Sequence, residues 1–431
     1  MTDIRATSHR LLKSYGIALN EEDLNRIMFR FVDEMEKGLT SAGSSLPMLP
    51  SYLETEKPVP AEKPVIVVDA GGTNLRVCSV KFESNGACRI SNVHRTIMPG
   101  AREEISARKF YRSICDFIEP VVHLSDRIGF CFSYPAEITD RIDGRLLFWT
   151  KEIKVPEVVG TYIGEGLVKT LKERGIGGKK VVVLNDTVAT LLAGKTKGQS
   201  RGCESYIGFI LGTGTNTAYI EQNAKIGKIC PNQGSQAVNV ESGGFSACRQ
   251  GVVDKLLDRS TETPGIYPFE KMISGVYLGP LVWETIKTAT ADGCFSFKSA
   301  ELRGRAEPLE TAAVSRFLEN PQIAENRFGL HSANESDLEL LYRLARGVVR
   351  RAGQLAAVNM AAAMLKTGKG RSPLHPICVN IDGSTYHKLF GFKQIANGVL
   401  DDLLLEREVY YYPVQVEHSP TIGAAIAGLS V

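Results

Sequence analysis

No uninterrupted apolar run in the 431 residues approaches the roughly 18 that a membrane-spanning helix needs. The first residues, MTDIRATSHR, lack the apolar stretch of a secretory signal. Charge of one sign is also missing. Lys and Arg number 51 against 48 Asp and Glu, a net +3, so nothing recruits nucleic acid or an anionic membrane surface. The nine cysteines are odd in number and none has CxxC spacing. That excludes a zinc ribbon and argues against a disulfide frame, and most lie in apolar runs, as Cys131 does in IGFCFSYP. Reduced, buried thiols in a cytoplasmic protein are expected. The glycine turn at 69–74 is not GxGxxG, and no Walker GK[ST] follows it. What is present is ordinary globular material, 43% hydrophobic and 23% charged, with glycine in excess at 41 residues.

The length favours two or three domains. In EEDLNRIMFRFVDEMEKGL (21–39), Leu24, Ile27, Met28, Phe31, Val32, Met35 and Leu39 recur at helical spacing, which predicts an amphipathic helix. Residues 40–63 carry four prolines and read as a connector. Strands are expected at 65–68, 75–82, 128–134, 181–184, 207–211, 216–221, 377–381 and 409–414. Helical stretches fall around 105–123, 187–194 and 337–366. Strands alternating with helices make an α/β protein. VVDAGGTNLRV (67–77) also aligns without gaps on FILGTGTNTAY (209–219), at an offset of 142 residues. Each is a strand, a glycine-rich turn ending Gly-Thr-Asn, and a second strand. A duplicated unit, one copy in each of two facing lobes, would give this echo.

The first turn, Asp69-Ala-Gly-Gly-Thr-Asn74, can aim backbone N–H groups at an anion. Asp69 at the strand's end could hold Mg²⁺ through water, since Mg²⁺ keeps several waters. Gly212-Thr213-Gly214-Thr215-Asn216 is the second turn. Asn185-Asp186 follows the strand VVVL, where ligands gather in α/β proteins. Two readings are open for Asp186: a helix N-cap, or a general base taking a proton from a hydroxyl nucleophile in phosphoryl transfer. Thr150-Lys151 after an apolar run, Glu241 in NVESGGF and Glu270 in PFEKMISGVYLG complete the candidates. For Glu270 the alternative is a first-turn acid facing a helix dipole. Carboxylates, amides, hydroxyls and an amine beside two phosphate turns suit a sugar.

These segments resemble the eukaryotic-type hexokinases and glucokinases. EMEKGL (34–39), MLPSY (48–52), DAGGTNLRV, GFCFSYP with LLFWTK, VVVLNDTVATLLAG, GTGTN, NVESGGF, FEKMISGVYLG, DGSTYHKLFGF (382–392) and HSPTIGAAIAGL (418–429) follow the family's order. The resemblance implies a two-lobed actin-like ATPase (ribonuclease H-like) fold with a central sugar and nucleotide cleft. It implies a small lobe of 64–186 plus 418–431 and a large lobe of 1–63 plus 187–417. The implied reaction is ATP- and Mg²⁺-dependent phosphorylation of a hexose at the 6-hydroxyl, the first step of glycolysis. Asp186 resembles the base, with Lys151 offsetting charge. Ser133, Thr150, Lys151, Asn185, Asn216, Glu241 and Glu270 resemble the sugar set. Asp69, Gly71, Gly72, Thr73, Asn74 and Arg76 resemble the first phosphate segment, Gly212 and Thr213 the second, and Gly383 and Ser384 the adenosine contact.

Three stretches depart from the family pattern: Glu152-Ile153, Ser242-Gly243-Gly244-Phe245, and Ser419-Pro420-Thr421-Ile422, which lacks the usual basic residue. The implied partner is a hexose (glucose, with mannose or fructose as alternatives), bound by a monomer or homodimer in the cytoplasm. Two other classes stay open: a sugar sensor with weak turnover, and an actin-like ATPase acting on protein.

Overall fold

The amphipathic helix expected at 21–39 runs Glu21–Thr40 and buries Leu24, Ile27, Met28, Phe31, Met35 and Leu39 on one face. It and the remaining elements come from a computed structural model. The structure describes every residue except 1, 2, 41, 42, 56, 57, 85, 151, 152, 231, 232, 298–301, 303–307, 324, 326, 327 and 331.

Thirteen strands are found among the described residues: β1 Leu49–Glu54, β2 Pro64–Gly71, β3 Asn74–Phe82, β4 Cys88–Ile97, β5 Arg127–Phe132, β6 Ala136–Ile138, β7 Gly144–Leu146, β8 Lys180–Leu184, β9 Ser205–Leu211, β10 Thr215–Gln222, β11 Ser235–Asn239, β12 Ile377–Asp382 and β13 Tyr411–Val414. Five form a sheet in the order β4-β3-β2-β5-β8, and six form another in the order β1-β11-β10-β9-β12-β13. In the first, β4, β3 and β2 are antiparallel neighbours while β5 and β8 run parallel to β2. In the second, β11, β10 and β9 are antiparallel while β12 and β13 run parallel to β9. The two sheets therefore repeat one topology, and the second adds β1 at its edge. This duplicated topology is what the internal echo implied, and it is the actin-like ATPase arrangement that the resemblance implied.

Two expectations need correction. Residues 40–63 are not a bare connector, because β1 lies within them and pairs antiparallel with β11. Its Pro50 is tolerated because β1 is an edge strand. The echo is also not gapless in space. The first hairpin closes at Gly71↔Asn74 around two residues, the second at Leu211↔Thr215 around three.

Residue alternation fixes what each sheet face covers. On β2, Val65 and Val67 join the core between the two sheets, while Ile66, Val68 and Ala70 face the outer core under the helices Ala107–Ile118 and Ile163–Glu173. Between the sheets run two crossing helices. Asp186–Gly198 follows β8 yet packs on β9 and β12. Ser419–Leu429 follows β13 yet packs on β2 and β5. They touch where glycine leaves no side chain: a Cβ at Gly423 would lie 1.9 Å from the Ala189 carbonyl oxygen.

Candidate active site

The β2–β3 turn is built for close approach. Gly72 sits at φ +63 with open space around it, a conformation that glycine adopts without steric cost. The Tyr134 hydroxyl donates to the Gly72 carbonyl at 2.6 Å and fixes the turn, while Thr73 and Asn74 face solvent. A Cβ on Gly71 would stand 3.5 Å from Ser133 Oγ and 3.7 Å from Asp69 Oδ1, so these three residues converge. Asp69 faces Arg76 across the ladder. Burial pushes the Asp69 carboxyl up to about 6; Arg76 opposes that, the nearby charge of Asp186 adds to it, and hydrogen bonds from Thr421 and Cys131 draw it down. Arg76 Nη1 also donates to Thr421 Oγ1 at 3.3 Å. The divergent C-terminal segment thus reaches the first turn through a buried threonine hydroxyl.

The second turn is clamped from three sides. The Gly212 carbonyl accepts from the Gly275 N–H and from Thr385 Oγ1, both at 2.8 Å. The Val276 N–H donates to the Thr213 carbonyl at 3.2 Å. The Thr215 N–H donates to Glu270 Oε2 at 2.9 Å. Gly383, at φ +112, crosses so close that a Cβ there would fall 2.2 Å from the Leu211 carbonyl oxygen. That approach sets Gly383 and exposed Ser384 beside Gly212. Glu270 lies in the first turn of the helix Pro268–Ile273, but its carboxylate also braces the second turn through the Thr215 N–H.

Asp186 is not an N-cap. Asn185 takes that role, its Oδ1 accepting from the Thr187 N–H at 2.8 Å. Asp186 is the first helical residue, and its Oδ1 accepts from Thr187 Oγ1 at 3.3 Å. Its charge is felt on both sides, since it raises the proton affinity of Asp69 and of Glu241. Glu241 holds a left-handed conformation at φ 56, costly for a non-glycine residue and frequent at functional sites. Its Oε1 accepts from Asn239 Nδ2 at 2.7 Å and Asn216 Nδ2 at 3.1 Å. Burial raises the Glu241 carboxyl, the Asn239 hydrogen bond opposes this, Asp186 adds to it and Asn216 opposes it. Asn216 in turn is oriented by the Ser242 N–H, 3.3 Å from its Oδ1.

Thr150 is half-buried, with its carbonyl 3.5 Å from the Ile153 N–H. Just before it, Trp149 is anchored by Nε1 donating to the Val155 carbonyl at 2.7 Å. Lys151 lies outside the described residues. The structure brings Asp69, Gly71 and Ser133 together at one turn, joins Glu270 to the other, and sets Asp186 within electrostatic reach of Asp69 and Glu241.

Sequence reasoning missed Asn239, Tyr267, Gly275, Thr385 and Thr421. Asn239 precedes Glu241 by two, and Thr385 follows Ser384 directly, so both were within sight of the motifs. Tyr267 stands at φ 52 beside the charges of Glu241 and Glu270, which no local pattern marks.

A metal would find Asp69 here, with Asp186 within electrostatic reach. Among the described residues no group of three or more His, Cys, Asp or Glu is arranged to hold an ion. Asp69, partly exposed and with its proton affinity raised by Asp186, suits a cation that keeps most of its waters, which is how Mg²⁺ binds.

Two family models described as hexokinase match residues 13–196 and 206–430. Hexokinase-2 of Schizosaccharomyces pombe is 29% identical over 440 residues, spanning 95% of this chain and 93% of the relative. Glucokinase-1 of Kluyveromyces lactis is 30% identical, spanning 89% of each. A solved structure of a hexokinase from Schistosoma mansoni complexed with glucose matches over 100% of both chains at TM-score 0.81 and 26% identity. Family models on both halves, relatives along nearly the full length and a shared fold give one conclusion: this chain belongs to the hexokinase family of hexose-phosphorylating kinases.

Proposed function

We propose that Asp186 is the general base of an ATP-dependent transfer to the 6-hydroxyl of glucose. This reading is supported by the position of Asp186 at the start of the helix after β8, with its charge reaching Asp69, which converges with Gly71 and Ser133, and Glu241, which is bonded to Asn216 and Asn239. The sugar would be held by Ser133, Thr150, Lys151, Asn185, Asn216, Glu241 and Glu270, and oriented so that its 6-hydroxyl meets Asp186. A carboxylate in that place accepts the proton as the oxygen attacks the γ-phosphorus. Gly71, Gly72, Thr73, Asn74 and Arg76 on one side and Gly212 and Thr213 on the other would grip the phosphates, with Gly383 and Ser384 at the adenosine. Mg²⁺ held by Asp69 through water would offset charge on the transferring group. Lys151 would offset more. Most of the rate then comes from positioning and electrostatics.

We assign residues 64–186 and 418–431 to a small lobe and 1–63 and 187–417 to a large one. The pairing of β1 with β11 supports giving the N-terminal segment to the large lobe, and the packing of Ser419–Leu429 on β2 and β5 supports giving the last helix to the small one. Sugar ligands from both lobes would draw them closed and keep water, the competing acceptor, out. Nine free thiols, six of them buried, support a reducing, cytoplasmic setting.

The decisive experiment compares wild type with Asp186→Ala. ADP release with glucose and Mg·ATP should fall by about 10² or more, while glucose binding by calorimetry is retained. Near-normal turnover would remove Asp186 as the base. Running glucose, mannose, fructose and glucosamine against ATP and GTP ranks the substrates, and ADP release without sugar would point to a different ATPase.

A further inference from the structure

Away from the cleft, the helix Ile4–Ser14, the long helix Glu335–Thr367 and the helix Phe392–Leu405 enclose a groove of about 740 Å³, within the size range of small-ligand pockets. Its charge is one-sided. Arg5, Arg343, Arg346 and Arg350 line it beside His9, with Asp402 as the sole carboxylate of the lining. On the long helix, 343, 346 and 350 share one face by spacing. Arg343 is engaged by Glu339 at 2.7 Å. Among the described residues, the guanidinium groups of Arg5, Arg346 and Arg350 hold neither hydrogen bond nor ion pair.

The groove does not come from loose packing. Gly347 admits Leu12 so closely that a Cβ there would meet Leu12 Cδ2 at 2.5 Å. The two helices are locked at that point, and the arginines stand on either side of it. Between the cationic walls, Leu12, Ile395 and Val399 contribute apolar lining. In a chain whose net charge is only +3, three unpaired guanidiniums around one apolar concavity are a concentration of like charge. That arrangement is unfavourable until an anion offsets it. Arginine forks match phosphate oxygens two at a time.

We propose that this groove is a second binding site, separate from the catalytic cleft, for a small phosphorylated molecule carrying an apolar portion. The phosphate would lie against Arg346, Arg350 and Arg5, and the apolar portion against Leu12, Ile395 and Val399.

Naphthyl phosphate, naphthol and inorganic pyrophosphate serve as probes, each titrated by calorimetry into the full-length chain saturated with glucose and ADP so that the cleft is filled. Naphthyl phosphate should bind at one site, at least about tenfold more tightly than naphthol, and more weakly as salt rises. Arg346→Glu with Arg350→Glu should lower its affinity at least about tenfold while leaving kcat for hexose phosphorylation unchanged. Both positions are exposed, and the milder Arg346→Gln, Arg350→Gln pair, with unfolding curves, guards against a folding defect. Pyrophosphate should bind more weakly than naphthyl phosphate and lose affinity in the same variants. Equal affinity of naphthyl phosphate for wild type and both variants, or equal binding of naphthol, or no binding at all, would overturn the proposal.

Discussion

The Thr215 backbone N–H donates to Glu270 Oε2 at 2.9 Å, so a carboxylate proposed to hold the sugar also braces the second glycine turn. Gly214 makes this contact possible, since a Cβ there would fall 2.6 Å from Glu270 Oε2.

Removing that carboxylate should therefore show up at both ends of the reaction. Glu270→Ala orphans a backbone donor, at a cost of about 1–3 kcal/mol, and removes the carboxylate proposed to hold the sugar. KM for the sugar should rise at least about tenfold, KM for the nucleotide should rise as well, and the unfolding midpoint should fall. Glu270→Gln keeps an acceptor for Thr215, so its nucleotide KM and stability should stay near wild type while sugar affinity drops. Kinetics with each substrate varied in turn, plus thermal unfolding, separate the cases. An unchanged sugar KM in both variants would take Glu270 out of the site.

Two glycines should respond in opposite ways to alanine. At Gly423 the new methyl collides with the Ala189 backbone, and neither helix can move without opening the core between the sheets. A loss of about 3 kcal/mol or more is expected. At Gly398, inside the helix Phe392–Leu405, a Cβ meets nothing within 4 Å. Alanine there should add up to about 1 kcal/mol by restricting the unfolded chain. Urea unfolding of both variants at neutral pH tests the pair.

A pH dependence follows from Glu34. Burial alone would raise its carboxyl, but the Ser45 N–H at 2.8 Å, the Ser45 hydroxyl at 2.9 Å, Lys37 and Ser44 hold it at about 2. Its value in the unfolded chain is about 4.3. The native state thus favours the ionised form, and its contribution, up to about 3 kcal/mol, is present above pH 5 and lost as pH falls toward 2. Glu34→Gln should be less stable than wild type at pH 7, with the gap narrowing through that window. A gap independent of pH would mean the carboxylate charge is not what matters.

Thiol labelling should be selective. Cys230 is exposed, whereas burial pushes Cys78, Cys248 and Cys378 up to about 12 and Cys88 and Cys115 up to about 11. Thiolate is the reactive form. One fast-reacting thiol per native chain is expected with Ellman's reagent, and Cys230→Ser should abolish it.

How much of this was legible beforehand depends on whether the signal was local. The strand–turn–strand units around Gly71-Gly72 and Gly212-Thr213 announce themselves through apolar runs broken by glycine, and Asn185-Asp186 sits where a strand hands over to a helix. By contrast β1 hides behind four prolines, because only its long-range pairing with β11 makes residues 49–54 a strand. Thr421 lies 352 positions beyond Asp69 in sequence, and no spacing rule links them; the crossing of the last helix brings its hydroxyl to that carboxylate. Tyr267 likewise stands beside Glu241, which is distant from it along the chain.

Because Ser419–Leu429 covers β2 and β5, the five-stranded sheet is sealed by a helix that lies far downstream of it in the chain. During synthesis its inner face stays uncovered until that helix has been made. A fragment stopping near residue 200 would carry Asp186–Gly198 with no partner sheet to cover, and a five-stranded sheet without its lid. Expression of the N-terminal half alone should yield aggregate rather than a smaller enzyme.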